Sequence, residues 1–410
     1  MLAVSEAQKQ ILSALQPVQT TTIHLEQAAG RILCADVSVH EDLPAFASSS
    51  MDGFAVRATD VVSAGPDQGV PLQVAGDIPA GSQPTFRVGA GQAARIMTGA
   101  PMPAGADAVI PIEDTDQSIH AGVSDLPGQV IVFRRVRPGE YVRPAGQDLR
   151  RGTTVLPAGR QIKPQDLGLL SILGLTAVPV YELPRVALMS SGNELATPGE
   201  TLKPGQIRDA NTYSLGALIQ NSGARLIHLG IARDDPRQIQ DLLDSAVSQG
   251  ADLIITSAGV SVGAYDYVRQ IIEKDGRLTF WRVNMRPGKP LAFGAYRQVP
   301  LIGLPGNPVS AFIGYLVFGQ PAVRRLAGLP PAGRRRAQAI LAHDVESDGR
   351  ESYLRAEITS QDGRLTARLT GHQGSGNLYS LVQANALLIV PSGVKSLPAG
   401  TQVDIWPLDD

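Results

Sequence analysis

The sequence predicts a multidomain α/β protein with a central three-layer domain, in which helices cover both faces of a mostly parallel sheet. Its 410 residues exceed one ordinary hydrophobic core and indicate roughly two to four domains. Strand-like and helix-like runs alternate between residues 183 and 327, a pattern typical of right-handed crossovers in a parallel sheet. Short β-type runs between Gly-rich and Pro-rich turns predict smaller β modules on either side of this region.

The central domain is predicted over residues 183–327. Short apolar runs rich in branched residues indicate buried strands, and apolar residues at helical spacing indicate helices. We expect Asn211 to cap the first of these helices and Gly223 to end it. The predicted strands are 186–189, 225–230 and 253–255, and the predicted helices are 212–220, 238–248 and 267–272.

Further domains are predicted around this centre. Residues 45–144 indicate a β module inserted into a small α+β linking domain, whose two halves are residues 1–44 and 145–182. The pattern Ser5-Glu-Ala-Gln8 is typical of a capping box, so we expect Ser5 to cap the first helix. Residues 328–410 predict a C-terminal β barrel or sandwich, and the arginine run 334–336 is typical of a solvated linker rather than a phosphate patch.

The composition argues against several classes of protein. A hydrophobic content of 43% and a charged content of 18% are those of a soluble globular protein, and a net charge of −2 argues against a nucleic-acid binder. The single cysteine, Cys34, excludes an internal disulfide and a multi-cysteine zinc site, and it fits a reducing compartment such as the cytoplasm. No signal-peptide pattern is present. Gly168, Gly174 and Pro179 interrupt the apolar run 167–180, so we expect a buried helix and a strand there and no membrane span.

The stretch from Thr256 to Tyr267 joins a buried strand to a helix through a loop of small residues that ends in Asp266. Gly259 and Gly263 let backbone N–H groups approach a ligand, and the start of a helix favours negative charge. The loop therefore indicates an anion site beside a metal site. Taken alone, a tight strand-to-helix connection explains it equally well.

Carboxylates follow three predicted strands of the central sheet, at Glu194, Asp234 and Asp266. In such sheets, ligands bind beyond the carboxyl ends of the strands, where these loops meet. Carboxylate oxygens are the ligands that Mg²⁺ prefers alongside substrate phosphate, so the three residues are candidate metal ligands. Each one alone is also explained as a helix cap or a surface charge.

Cations and prolines are concentrated in two later loops. Arg286 and Lys289 lie in a Pro/Gly-constrained loop, with Arg282 just upstream, and a rigid loop of this kind can hold an anion between fixed charges. Pro305 and Pro308 restrict the next loop to one shape, which can form the wall of a pocket. The alternatives are an ordinary hairpin turn and a simple helix start.

The inserted β module contributes Asp52 and Thr98 as further polar residues on turns, and Asp148 follows on a turn of the linking domain, although their spacing alone does not connect them to the sheet loops. The sequence contains no P-loop, no HExxH motif and no dinucleotide fingerprint.

Seven motifs, taken together and in order, resemble the MoeA family of molybdopterin molybdenumtransferases, which is related to the gephyrin E domain. The resemblance extends from residue 1 to residue 410. The motifs are Ser50-Met-Asp-Gly-Phe-Ala-Val-Arg57, Ile96-Met-Thr-Gly-Ala-Pro101, Ser191-Gly-Asn-Glu-Leu195, Ser257-Ala-Gly-Val-Ser-Val-Gly263, Pro287-Gly-Lys-Pro290, Gly303-Leu-Pro-Gly-Asn-Pro-Val-Ser310 and Thr370-Gly-His-Gln-Gly-Ser375.

The resemblance implies a central domain of the molybdenum-cofactor-biosynthesis type and an enzyme that inserts molybdenum from molybdate into adenylylated molybdopterin. It implies dependence on Mg²⁺ and release of AMP. It also implies a homodimer of four-domain subunits, whose active-site cleft is shared between them, and a molybdopterin adenylyltransferase as the partner that supplies the substrate.

The resemblance also assigns roles to individual residues. It implies catalytic carboxylates at Asp52, Glu194, Asp234 and Asp266, and the last three are the candidate metal ligands. The departures are Asn193, where the family pattern has Asp, and Ala258, where it has Gly. The implied substrate-binding residues are Thr98, Asp148, Ser257, Gly259, Ser261, Arg282, Arg286, Lys289, Pro305, Pro308, Arg355 and Ser375.

Two other functions are compatible with part of the pattern. A CinA-like nucleotide-processing enzyme would share the α/β domain, but not the Met51-Asp52-Gly53 module or the motif that ends at Ser375. A gephyrin-like scaffold would not need an enzyme site, but the chain has no long disordered linker.

Overall fold

The computed structural model describes residues 1–117, 126–258, 267–330, 334–361 and 363–408. The chain forms two compact units. The first consists of Met1–Ala35, Ala158–Gly168 and Leu175–Asp410, and the second of Asp36–Pro157 and Leu169–Gly174. The four-domain division of the chain stays a prediction.

A six-stranded sheet forms the centre of the first unit. Its first four strands pair in parallel and its last two pairings are antiparallel, so only Pro290–Tyr296 runs in the opposite direction, which confirms the prediction of a mostly parallel sheet. In spatial order the strands are Arg225–Ala232, Arg185–Ser191, Leu253–Ser257, Val299–Leu304, Pro290–Tyr296 and Gly276–Arg282.

Helices cover both faces of this sheet, which confirms the three-layer architecture. Along the strand Arg185–Ser191, Val186 and Leu188 belong to one hydrophobic cluster, while Ala187 and Met189 belong to the other. The alternation follows from the two-residue period of a strand that is buried on both faces. The first cluster includes the helices Val4–Ser13, Asn211–Asn221, Pro308–Gly314 and Gln320–Leu326, and the second includes Pro236–Ser248 and Tyr267–Asp275.

Two predicted helix caps are wrong and one helix end is confirmed. The first helix begins at Val4 after Ala3, so Ser5 lies inside it and caps nothing. Asn211 is the first residue of its helix, and the side chain of Asp209 caps it instead, accepting from the backbone N–H groups of Asn211 and Thr212. Gly223 ends this helix with a φ of 83°, as predicted.

The C-terminal region of the first unit is a β barrel. Five strands close on themselves because Glu351–Gln361 pairs with strands at both ends of the row, and Met285–Arg286 adds an edge strand. The other barrel strands are Arg364–Leu369, Ala337–Leu341, Gln402–Pro407 and Ala386–Val390, and the helix Leu378–Val382 precedes the last of these.

The second unit contains a five-stranded sheet around Phe54, Val56 and Val130. Its strands, in spatial order, are Ala108–Pro111, Gly53–Val56, Gln92–Ile96, Val70–Ile78 and Gln129–Val132.

Several short elements complete the chain. The apolar run near residue 170 forms the helix Pro164–Ile172 and the strand Ala177–Tyr181, as predicted. The expectation that this helix is buried is wrong, because only Asp166 and Leu170 are buried in it and Ile172 is 64% exposed. No helix in the described part of the chain is both long enough and apolar enough to cross a membrane. The two-stranded pairs are Thr20–His24 with Ala177–Tyr181, Val37–Ser38 with Thr154–Leu156, Ser48–Ser49 with Val142–Arg143, Leu195–Ala196 with Ile207–Arg208, and Val345–Glu346 with Ser396–Leu397.

Candidate functional site

A cavity of about 690 Å³ lies at the carboxyl ends of the parallel strands in the first unit. Ser191, Ser257 and Pro305, which end or follow three neighbouring strands, all line it. This is where an open α/β sheet is expected to bind its ligand. Of the predicted site residues, those that line the cavity are Glu194, Ser257, Arg286, Lys289, Pro305, Pro308 and Ser375.

Glu194 is an exposed carboxylate on the cavity wall. It folds back over Gly192, where an added Cβ would lie 2.6 Å from Glu194 Oε2. Gly192 also has a φ of 149°, so a side chain at this position would be strained and would crowd the carboxylate.

Asp234 is not among the described residues that line this cavity. Its Oδ2 accepts a hydrogen bond of 3.3 Å from the backbone N–H of Asn193, and its own backbone N–H donates to Asn193 Oδ1 at 3.1 Å. Asn193, one of the two departures from the family pattern, thus joins two strand-end loops. Asp234 holds the loop that carries Glu194.

Four cations line the same cavity. Arg286 and Lys289 were predicted, and Arg208 and Arg350 are two that the sequence analysis missed. Arg350 Nη1 donates to the carbonyl of Met285 at 3.0 Å, and Arg350 Nε donates to Asp348 Oδ2 at 2.9 Å. The hydrogen bond from Arg350 holds the pKa of the Asp348 carboxyl below its usual value. Arg282 is exposed at the end of its strand and is not one of the cavity residues in the described part of the chain.

The loop with two prolines is tied to the C-terminal barrel. Asn307 Nδ2 donates to Ser375 Oγ at 2.9 Å, and the backbone N–H of Val309 donates to the carbonyl of Ser375 at 3.1 Å. Pro308 opens the helix Pro308–Gly314 at the position where proline costs no hydrogen bond. Ser375 therefore connects two walls of the cavity.

Arg355 is fully buried, and among the described residues it is not part of the cavity lining. Its Nε donates to Ser380 Oγ at 3.0 Å and its Nη2 to the carbonyl of Gly374 at 3.0 Å. Burial, with a smaller contribution from the charge of Arg286, lowers the pKa of Arg355 to about 10. Arg355 is thus still charged at neutral pH and holds the loop that presents Ser375.

Ala258, the second departure, has a φ of 77° and lines the cavity next to Ser257. A non-glycine residue in this left-handed region is strained. A Cβ added to Gly306 would lie 3.1 Å from Ala258 Cβ, so the two loops are already close at this point.

In the second unit, Asp52 and Thr98 come together. Asp52 Oδ1 accepts from the backbone N–H of Thr98 at 2.7 Å and from its hydroxyl at 2.8 Å. Asp148 instead forms an ion pair of 2.6 Å with Arg143.

Gly259, Ser261 and Asp266 lie outside the described residues. Within the described ranges, no group of three or more His, Cys, Asp or Glu side chains could hold a metal ion. The predicted three-carboxylate site therefore stays a prediction. Mg²⁺ is usually held by one or two carboxylates and completed by substrate phosphate, and Glu194 on a cavity that also carries cations fits this pattern.

Asp209 and Asn211 also line the cavity, and the sequence analysis did not propose them as site residues. The available signal was an Asp two residues before a helix start, which is typical of a cap and does not indicate a ligand contact. For Arg350, the signal was a cation in the turn Asp348-Gly349-Arg350, and nothing in the sequence placed this turn near the central sheet.

Fold and site together define the class of protein: a multidomain α/β protein whose central sheet carries, at its edge, a cavity lined by cations and by residues of a C-terminal barrel. Family models match along the chain as the MoeA N-terminal region (domain I and II) over residues 2–174, a probable molybdopterin binding domain over residues 187–325, and the MoeA C-terminal region (domain IV) over residues 338–408. The chain belongs to the MoeA family.

Individual relatives match over nearly their whole length. The chain is 39% identical to molybdopterin molybdenumtransferase 2 of Mycobacterium tuberculosis (strain ATCC 25618 / H37Rv), and the match covers 100% of both chains. It is 39% identical to the molybdopterin molybdenumtransferase of Nostoc sp., over 95% of this chain and 89% of that one. The crystal structure of the molybdopterin biosynthesis MoeA protein from Pyrococcus horikoshii OT3 superposes with a TM-score of 0.82 at 28% identity, covering 99% of this chain and 100% of that one.

Proposed function

We propose that this chain is a molybdopterin molybdenumtransferase, which inserts molybdenum from molybdate into adenylylated molybdopterin with release of AMP. The observation that carries the proposal is the cavity at the sheet edge, which combines Arg286, Lys289 and Arg350 with the carboxylate of Glu194. The full-length likeness to molybdopterin molybdenumtransferases supports it. The CinA-like and scaffold alternatives are not favoured, because these relatives match the whole chain.

Arg286, Lys289 and Arg350 bind the anionic parts of the substrates. A diphosphate and a molybdate ion are both anions, and carboxylates alone would repel them. Arg350 is held in place by Asp348 and by the carbonyl of Met285, so its orientation is set before a ligand arrives. Preorganised charges stabilise the negative charge that develops as the diphosphate bond breaks.

Glu194 would hold the Mg²⁺ ion, together with Asp266 and Asp234 as predicted further ligands. When bound, the ion supplies positive charge at the diphosphate of the substrate. Hydrogen bonds between Asn193 and Asp234 orient the loop of Glu194. The oxygen that attacks phosphorus comes from molybdate or from water, and AMP leaves.

The decisive experiment mixes purified protein with adenylylated molybdopterin, molybdate and Mg²⁺, and measures AMP by chromatography. We expect AMP release that requires protein. Absence of AMP release from correctly folded protein would refute the proposed function.

We further propose a cytoplasmic homodimer, supplied by a molybdopterin adenylyltransferase, in which Asp52 and Thr98 of one subunit complete the cavity of the other. This predicts complementation between two inactive variants, Asp52→Asn and Glu194→Gln. In mixed dimers one of the two sites has both residues intact, so random mixing should restore roughly a quarter of the wild-type activity. No recovery after confirmed subunit exchange would argue against a shared cleft.

A further inference from the structure

Two buried acceptor oxygens beside the cavity have no hydrogen-bond partner within the described ranges. Asp209 is 4% exposed and Asn211 is 7% exposed. The oxygens are Asp209 Oδ2 and Asn211 Oδ1. A buried acceptor left without a donor destabilises the fold, so a pair of them next to a cavity calls for an explanation.

Helix capping explains only one oxygen of Asp209. Its Oδ1 accepts from the backbone N–H groups of Asn211 at 2.9 Å and Thr212 at 3.1 Å, and from the hydroxyl of Ser190 at 3.5 Å. Ser, Thr or Asn would supply a cap with one oxygen as well. The second carboxylate oxygen is therefore available for another purpose.

The orientation of the Asn211 amide follows from its partners. Its Nδ2 lies 2.7 Å from the carbonyl oxygen of Gly306, which can only accept, and 2.5 Å from Ser257 Oγ. A flipped amide would place two acceptors against each other, so Nδ2 is the donor and Oδ1 is the unpaired acceptor. Among the described residues both atoms lack a donor, so a ligand in the cavity can supply one.

The chemistry of the ligand follows from the charges and acceptors in the cavity lining. Phosphate and molybdate carry acceptors and negative charge, so they pair with the cavity cations Arg208, Arg286, Lys289 and Arg350, whereas the acceptor oxygens of Asp209 and Asn211 need donors. A pterin carries two neighbouring donors, N3–H and the 2-amino group, on one edge of its ring. Adenine offers a single amino group between acceptors and fits this pair less well.

We propose that Asp209 Oδ2 and Asn211 Oδ1 accept hydrogen bonds from the amino and amide N–H groups of the pterin ring, and so determine which end of the substrate enters this part of the cavity. The inference rests on the proposed function and deepens it. It makes Asp209 and Asn211 specificity-determining residues for a 2-amino-4-oxopteridine.

Asp209→Asn is the most direct test, because the amide oxygen keeps the helix cap while an NH₂ group replaces the free acceptor. The probes are 6-hydroxymethylpterin and the matching lumazine, in which a 2-oxo group replaces the 2-amino group. We expect wild-type protein to bind the pterin more tightly than the lumazine by roughly tenfold, and the variant to lose most of that preference. Fluorescence titration measures both affinities.

Two further variants keep the test decisive. Asp209→Ser retains a capping oxygen without the second acceptor, and should lose the same preference if Asp209→Asn fails to fold. Asp241→Asn, at an exposed position of the helix Pro236–Ser248, makes the same change of charge away from the cavity and should leave the preference intact.

The outcomes separate this inference from the proposed function. If wild-type protein releases AMP but Asp209→Asn keeps the full preference for pterin, the inference is wrong and the function stands. If the variant instead changes the Mg²⁺ concentration for half-maximal activity and keeps its pterin preference, Asp209 serves a cation and the inference is also wrong. An equal loss of affinity for pterin, lumazine and AMP, with a lowered Tm, would show that Asp209 acts only as a helix cap, and the inference would again be wrong.

Discussion

Two loops at the same edge of the central sheet, each preceding a helix, use their carboxylates in different ways. In the loop before the helix Pro236–Ser248, Asp235 caps the helix by accepting from the N–H of Arg237 at 2.9 Å, and Asp234 binds Asn193. In the loop before the helix Asn211–Asn221, Asp209 alone caps with one oxygen, and its other oxygen has no partner among the described residues beside the cavity. Burial without a full set of partners, rather than charge at a strand end, distinguishes the second loop.

The largest effect in this comparison is expected at Glu194, whose loop is attached to Asp234 through Asn193. Glu194→Gln removes the negative charge and keeps the shape, so we expect the kcat of AMP release to fall by roughly a hundredfold or more. Steady-state kinetics at several Mg²⁺ concentrations provide the measurement. Glu200→Gln, an exposed glutamate in the same segment, is the matched control and should be near wild type. A similar kcat for both variants would remove Glu194 from the mechanism.

The next largest effect is expected at Arg350, a cation of the cavity that lies outside the two loops compared above. Arg350→Met removes a charge that Asp348 and Met285 hold in place, so KM for adenylylated molybdopterin should rise roughly tenfold. The difference from wild type should shrink at high salt, because screening weakens charge attraction. Arg368→Met, at an exposed position of the barrel, supplies the comparison and should leave KM unchanged. An unaltered KM in Arg350→Met would mean that Arg350 only braces the loop.

A smaller effect is expected from removing the hydrogen bonds between Asp234 and Asn193, in the loop before the helix Pro236–Ser248. Asp234→Ala and Asn193→Ala each remove one partner of the same pair, and a double-mutant cycle should give a coupling free energy of about 0.5–1.5 kcal/mol in urea unfolding. Activity should fall several-fold in Asn193→Ala, because Glu194 loses its support, and further in Asp234→Ala, because a proposed Mg²⁺ ligand is lost as well. Additive effects would show that the two hydrogen bonds do not act together.

The smallest effect concerns Ala258, which follows the Ser257 that Asn211 holds. Ala258→Gly relieves the strain of a positive φ, which costs about 1–2 kcal/mol for alanine, but adds the backbone entropy of glycine. We expect a net gain of roughly 0.5–1 kcal/mol in the free energy of unfolding, measured by urea titration. Loss of stability would indicate that the methyl contact near Gly306 contributes more than the strain costs.

The sequence predicted the sheet and its edge because these depend on local patterns. The run at 253–255 is apolar enough to indicate a buried strand, and Glu194 and Lys289 lie in loops whose composition is unusual on its own. Asp209 and Arg350 were missed because their roles depend on partners far along the chain. Asp209 and Asn211 lie on the cavity beside the loops of Ser257 and Gly306, to which the Asn211 side chain donates. Arg350 reaches the cavity only because the barrel strand Glu351–Gln361 pairs with Met285–Arg286.

Asp234 and Arg355 were predicted as site residues together with those that line the cavity, because the sequence does not distinguish the two groups. Sequence spacing shows that a charged side chain follows a strand or lies in a motif. It does not show which backbone groups form hydrogen bonds with that side chain. In the folded chain, Asp234 accepts a hydrogen bond from the backbone N–H of Asn193, and the buried Arg355 donates one to the carbonyl of Gly374.

The most direct test of the whole account is the stoichiometry of AMP to inserted molybdenum in a single turnover. Purified protein loaded with adenylylated molybdopterin and Mg²⁺ is mixed with molybdate, and AMP and pterin-bound molybdenum are measured in the same samples. The account predicts one AMP for each molybdenum inserted, and little AMP without molybdate. Release of AMP at the same rate without molybdate, or with no molybdenum bound to the pterin, would contradict it.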